Sequence, residues 1–168
     1  MPLETNMGGS MGQRVIVCPA MAREVFEKPV YFLFTLRQIQ DIIREVEVHP
    51  VPFSPPHILG IATWRHYVVP VLSLEACLGM TPQPPSSLTR RIVVRSSGKN
   101  LLVMFNAAEG IRIIPLPLSC SAVLPPAWLS DTEWIQGVYE WQEGVLVVVD
   151  VERILADAAE TGVYQENE

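Results

Sequence analysis

The stretch Ile58–Leu78 reads ILGIATWRHYVVPVLSLEACL, and the stretch Ile135–Leu155 reads IQGVYEWQEGVLVVVDVERIL. The two align over 21 residues without a gap and share seven identities: Ile58/Ile135, Gly60/Gly137, Trp64/Trp141, Val68/Val145, Val71/Val148, Glu75/Glu152 and Leu78/Leu155. Each copy runs from an apolar approach through Gly to Trp, then into polar turn residues, an apolar strand and a short acidic helix. That order is a β-hairpin followed by a helix, one supersecondary unit. Two copies, each preceded by its own strand pair and its own proline-rich loop, predict two similar β-subdomains.

The remaining chain fits this frame. Short β-branched runs are cut by turn residues: RVIVC (14–18), PVYFLF (29–34), HYVVPVLSL (66–74), RRIVVRS (90–96), NLLVMF (100–105), IRIIPL (111–116) and GVLVVVDV (144–151). Runs of this kind at short spacing predict a mainly β fold built as small barrels or a sandwich. Prolines cluster at 50–56, 82–85 and 115–126 and mark loops or strand edges. The segment MTPQPPSSL (80–88) follows the first repeat and is the expected linker between subdomains, near 80–90. A flexible segment is expected over 1–13, one domain over 14–160, and an acidic tail over 161–168.

Helical periodicity is sparse. TLRQIQDIIREV (35–46) places Leu36, Ile39, Ile42, Ile43 and Val46 at three- and four-residue spacing behind a capping Thr35, so a helix is predicted there. Shorter helices are predicted over 74–79, ended by Gly79, and over 151–160, ended near Gly162.

Composition excludes several classes. The 168 residues are 49% hydrophobic and 18% charged, with a formal net charge of −6. That is a globular balance, and its sign disfavours nucleic acid, whose phosphates demand clustered Lys and Arg. Three cysteines with no CxxC give neither a disulfide framework nor a common zinc pattern, and predict reduced thiols in a cytoplasmic protein. The start lacks the basic-then-apolar order of a signal peptide, and no apolar run approaches the ~20 residues of a membrane helix. No membrane insertion is expected.

PPHILGIATWRHYVVPVLSLEACLGM resembles the signature segment of CheW-like domains, in which an apolar-Gly stretch leads into Asn-Leu-Arg-Gly, an apolar strand with Pro, and a short helix ending Leu-Gly. The resemblance extends from about Arg14 to Leu155, through FTLRQIQDIIREVEVHPVP, FNAAEGIRIIPLP and the second repeat. It implies two small intertwined β-barrel subdomains. It also implies an adaptor that couples the cytoplasmic tips of methyl-accepting chemoreceptors to the regulatory domain of a CheA-type histidine kinase. The alternative is a divergent module of the same fold serving a type IV pilus or gliding array.

By the same resemblance Arg65 matches the family's motif arginine and is expected at a hairpin turn, facing a partner. The motif departs from the pattern at Thr63, Trp64 and His66, which stand where Asn, Leu and Gly are usual. His tolerates positive φ less readily than Gly, so a changed turn is expected. Leu36, Ile39 and Ile42 match the family's groove for a receptor tip, a helix-in-groove contact; Ile43 and Val46 are expected to face inward. Trp64, Arg65, His66, Leu36, Ile39 and Ile42 are thus the candidate protein-binding residues.

Enzyme chemistry finds little purchase. Cys18, Cys77 and Cys120 sit in apolar context without an adjacent His. His49, His57 and His66 form neither HExxH nor an i, i+4 pair, so neither a metal nor a cofactor is expected. SSGKN (96–100) reads as a hairpin turn and not a phosphate loop. Glu75 and Glu152 are explained as acidic residues at helix N-termini, and Trp64 and Trp141 mainly as packing for their hairpins.

Overall fold

The apolar runs become strands, and each repeat becomes a hairpin with a helix behind it. A computed structural model describes residues 14–97, 100–129, 133–142 and 144–160. The expected flexible start, the acidic tail, the end of the last helix near Gly162 and the centre of the SSGKN turn lie outside the described residues. The strands are β1 (Arg14–Pro19), β2 (Val30–Thr35), β3 (Ile39–Ile43), β4 (Ile58–Trp64), β5 (Tyr67–Leu72), β6 (Arg90–Arg95), β7 (Leu102–Ala107), β8 (Arg112–Pro115), β9 (Ser121–Ala122), β10 (Ile135–Trp141) and β11 (Gly144–Val149). The helices are α1 (Leu74–Cys77) and α2 (Val151–Glu160).

Two sheets form. The outer one has the order β8-β1-β2-β11-β10-β9, and the middle one β3-β6-β7-β5-β4. The repeat fixes their equivalence. Hairpin β4–β5 matches β10–β11, and each has a register shift at its glycine, between Ile58 and Gly60 and between Ile135 and Gly137. Each hairpin then adds one parallel neighbour, β7 beside β5 and β2 beside β11. Beyond these lie β6 and β1, then β3 and β8. The mainly β fold with two subdomains is therefore as the duplication predicted.

Gly60 shows why the shift needs a glycine. His49 exchanges backbone hydrogen bonds with Ile61, and a Cβ on Gly60 would stand 2.3 Å from the His49 carbonyl oxygen. No side chain fits such an approach.

The segment 80–89 joins α1, which follows β5, to β6, and so leaves and re-enters the same sheet. The chain passes between sheets instead at residues 36–38 and 108–111. Residues 81–83 nevertheless stitch the subdomains together: Ala22 bridges Pro82, the Arg23 amide donates to Thr81 O, and the Gln83 amide donates to Met21 O.

The helix expected over 35–46 is not formed. Leu36–Gln38 make one 3-10 turn, and Ile39–Ile43 are β3, an edge of the middle sheet. The three-residue spacing of the apolar stripe has another origin. Ile39 lies opposite Val94, but a bulge at Gln40 brings Asp41 opposite Val93 and Ile42 opposite Ile92. The extra residue turns Ile39 and Ile42 to one face and Asp41 and Ile43 to the other. β-branched isoleucines facing Ile92 and Val94 gain more in the sheet than in an isolated helix. Ile43 and Val46 pack on the middle core, as expected.

Three apolar clusters result. Val69, Val71, Val93 and Met104 lie inside the middle subdomain, and Val15, Val17, Leu33 and Leu146 inside the outer one. The largest lies between the sheets and draws Ile16, Phe32 and Phe34 from one and Ile92, Val94 and Phe105 from the other. Phe34 and Phe105 occupy equivalent register positions and stack on each other at 5.6 Å. Contact between equivalent residues is the mark of a local two-fold axis.

The repeated glutamates obey the same axis. Glu75 Oε1 accepts the Met21 amide at 2.8 Å, and Glu152 Oε1 accepts the Ser97 amide at 2.5 Å. Met21 follows β1 and Ser97 follows β6 at matching positions, so each helix start caps the loop of the opposite subdomain. Helix-dipole stabilisation is thus a minor part of why both are acidic.

Glu75 is buried, and burial holds its carboxyl above the ordinary value of 4.5, opposed by the Met21 amide and the Ser73 hydroxyl. A group with a raised folded pKa contributes fully below its unfolded pKa, and that contribution is lost as pH rises through the folded one. Glu75→Gln keeps an acceptor for Met21 without the buried charge. Its melting temperature relative to native, followed by circular dichroism from pH 4 to 9, should rise above pH 4.5 and level off once the buried carboxyl has ionised. A constant difference across that range would show that the carboxyl does not ionise at a cost.

Candidate functional site

The β4–β5 hairpin carries the candidate arginine. Trp64 pairs with Tyr67, leaving Arg65–His66 as a two-residue loop. The positive φ falls on Arg65, at 55°, and not on His66. Gln142, the matching residue of the second repeat, does the same at 54°. The departure from glycine at His66 therefore leaves the two hairpin loops alike at their first residue.

Arg65 is held as well as exposed. Its guanidinium lies 4.5 Å from the centre of the Trp64 ring, a cation–π contact that orients a long side chain. Trp64 itself is buried, 6% exposed, so it supports the hairpin and does not itself offer a face. Tyr67 stacks on its ring at 6.2 Å. Tyr67 and Val68, each 49% exposed, extend the apolar surface beside the cation. They are site residues that the motif alone did not single out. Their position opposite Trp64 and Thr63 in the hairpin was the available signal.

A hydrogen bond anchors the platform. Trp64 Nε1 donates to Asp41 Oδ2 at 2.9 Å. Asp41 lies on β3 and Trp64 on β4, the two opposite edges of the middle sheet. The bond therefore draws the edges of a rolled sheet together around the middle core. The outer subdomain solves the same problem differently. Arg112 of β8, opposite Val17 as Asp41 is opposite Val93, lays its guanidinium 5.0 Å from the Trp141 ring centre. Both tryptophans are gripped from the far edge strand, one through its N–H and the other through its face.

The second candidate surface is divided. Leu36 and Ile39 are half-buried and pack on the inter-sheet core. Ile42, 37% exposed, is the most open of the three. They share a face through the bulge and not through a helix, so a helix-in-groove geometry built on this segment as a helix does not apply. His66 is exposed beside Arg65.

The thiols and histidines are dispersed. Burial, with Glu75 nearby, pushes the Cys18 thiol far up, the opposite of an activated nucleophile. Cys77 is buried, and half-buried Cys120 donates to Pro117 O at 3.3 Å. His57 sits edge-on to Trp134 and 3.9 Å from Asp157; burial lowers its pKa, with Asp157 opposing. Among the described residues no three metal-ligating side chains converge, and no helix is long and apolar enough to cross a membrane.

A model of the CheW-like domain matches residues 26–159. The chain belongs to the CheW-like domain family. A probable chemotaxis protein CheW from Rhizobium etli is 23% identical over 129 residues, covering 75% of this chain and 81% of that protein. The scaffolding protein TtCheW from Thermoanaerobacter tengcongensis superposes with a TM-score of 0.65 at 18% identity, covering 84% of this chain and 86% of the other. The CheW-like fold thus accounts for both β-subdomains.

The Asp41–Trp64 bond should be measurable in stability. Asp41→Ala orphans a largely buried indole N–H and should cost ~1–3 kcal/mol in urea denaturation. In a Trp64→Phe background the same change should cost clearly less, with a coupling of ~0.5–3 kcal/mol. Additive effects would mean the bond does not join the two edges.

Proposed function

We propose that this protein is a non-enzymatic chemosensory adaptor that couples the cytoplasmic tips of methyl-accepting chemoreceptors to a CheA-type histidine kinase. The observation that carries the reading is Arg65, at the family's motif position, stacked on a buried tryptophan and flanked by exposed Tyr67 and Val68. A preoriented cation beside an apolar patch is what a protein interface uses as an anchor. On this reading Arg65, His66 and Tyr67 meet the kinase regulatory domain. Ile42, with the edges of Leu36 and Ile39, meets the receptor tip. The work is carried out in the cytoplasm, without cofactor or metal. The family assignment and the similarity to one protein named as a probable chemotaxis protein and another named as a scaffolding protein support the class of function.

Titration calorimetry against the regulatory domain of the cognate kinase should give a Kd near micromolar, about 8 kcal/mol. Arg65→Glu should leave the melting temperature close to native and weaken that binding at least tenfold, since charge reversal replaces attraction with repulsion. Native affinity in the reversed variant would remove Arg65 from the interface.

Ile42→Asp should also fold, because the side chain is open to solvent, and should reduce capture by receptor tips while kinase binding persists. Unchanged receptor capture by a folded Ile42→Asp variant would exclude this face.

A further inference from the structure

The duplication leaves one polar group without its counterpart's partner. Among the described residues Arg91 Nε, Arg95 Nε and Asn106 Oδ1 are buried without a hydrogen-bond partner, and Asn106 Oδ1 is the acceptor of the three. Asn106, on β7, is only 9% exposed. By register it stands where Thr35 stands in the outer subdomain, one residue beyond the matched pair Phe105 and Phe34. There the Thr35 hydroxyl donates to Gln38 Oε1 at 2.9 Å, and Gln38 Nε2 donates to Glu152 Oε1 at 3.3 Å. One carboxamide thus spans from Thr35 to the helix-start glutamate. In the middle subdomain the third residue beyond Asn106 is Glu109, exposed, whose side chain has no N–H to give Glu75. Both end groups are kept, and the chain supplies no bridge between them.

Asn106 and Glu75 line one cavity of about 180 Å³, walled also by Ser73, Leu59 and Met21. That is room for roughly six waters, the scale of a very small organic molecule. Its inner charge is the Glu75 carboxyl. The groups acting on that carboxyl are the Met21 amide, its own backbone and the Ser73 hydroxyl, and none is a cation. Ser73 Oγ donates to Glu75 at 3.4 Å and accepts the Ala76 amide at 3.1 Å, and Gln83 Nε2 donates to Ala22 O at 2.9 Å, so these donors are spent. Arg23 is the cation in the lining, and it is exposed. Its backbone amide goes to Thr81 O, while its guanidinium makes no hydrogen bond or ion pair among the described residues. Of the neighbouring charges, Glu24 accepts the Thr81 amide, and Arg91, opposite Asn106 on β6, does not line the cavity.

We propose that this cavity binds a small α-amino acid, with its ammonium between Asn106 Oδ1 and the Glu75 carboxylate and its carboxylate on Arg23. An ammonium brings three donors, enough to serve both acceptors, and it supplies the cation that the buried carboxylate lacks. A separate molecule thereby does in the middle subdomain what Gln38 does in the outer one. Leu59, Met21 and the prolines of 82–85 restrict the side chain to a short, apolar one. The site lies at the end of β4 and β5 away from Arg65, so it stands or falls independently of the kinase surface.

Titration of the full chain with L-alanine to millimolar concentration, followed by amide NMR, tests this. The Met21 amide, which donates to Glu75 Oε1, should shift and saturate. Propionate, which lacks the ammonium, should leave it unmoved. Ethylamine, which lacks the carboxylate, should bind at least about tenfold more weakly than alanine. Asn106→Leu removes an acceptor that has no partner, so it should melt no lower than native and yet lose at least about tenfold in alanine affinity. A merely structural asparagine would give neither result. Arg23→Gln, at an exposed position, should keep the native melting temperature and bring alanine down to the level of ethylamine. If Asn106→Leu melts lower than native, Glu75→Gln takes its place with the same expected loss of affinity. Absence of a saturable shift with alanine, an equal response to propionate, or native alanine affinity in any of the folded variants overturns the proposal.

Discussion

Neither sheet can bury both of its faces alone, and the structure depends on how the two share the exposed ones. Ile16, Phe32 and Phe34 meet Ile92, Val94 and Phe105 across the seam, where hydrophobic burial at roughly 25 cal/mol per Å² is the main attraction. Area alone does not set the angle between sheets. That is done by polar contacts of fixed geometry, Glu75 on the Met21 amide and Glu152 on the Ser97 amide. The two bonds are reciprocal, each helix start holding the loop of the opposite subdomain. The surfaces proposed for kinase and receptor both lie on the middle sheet, where the Trp64–Asp41 bond ties the strands that carry them.

Much of the architecture was legible because the chain states it twice. Hairpin, glycine, tryptophan and helix-start glutamate recur in order, and short β-branched runs cut by turn residues mark the strands. The segment after Thr35 misled because a bulge and a helix turn write the same spacing. Leu36, Ile39 and Ile42 fall three apart in either case, and only the pairing of Ile39 with Val94 and Ile42 with Ile92 separates them. Pairing partners 50 and 55 residues away leave no local trace. Residues 80–88 read as a linker for a related reason. Proline and serine mark an irregular path, but they do not say whether that path leaves a sheet or returns to it.

The site was legible in part. A two-residue loop after a strand put Arg65 at a tip, and the family motif gave it a purpose. The loop's tolerance of His66 was not readable, because the left-handed residue is Arg65. Trp64 could be read as packing, yet its bond to Asp41 depends on the closure of a sheet whose edges are 23 residues apart in sequence. Tyr67 and Val68 looked like ordinary strand residues until their exposure was known.

The course of the chain through the two sheets bears on how the protein comes off the ribosome. The middle sheet is drawn from one continuous stretch, 39–107, whereas the outer one joins β1 and β2 to strands made last. The parallel ladder of Val30–Leu33 with Val145–Val148 spans more than a hundred residues. Closing that loop is slow, and synthesis adds its own delay. Until β11 is translated, β2 presents an unpaired apolar edge, a ready template for wrong partners. The nascent chain is thus most vulnerable through its first hairpin, and the last strand to be made is the one that removes the hazard.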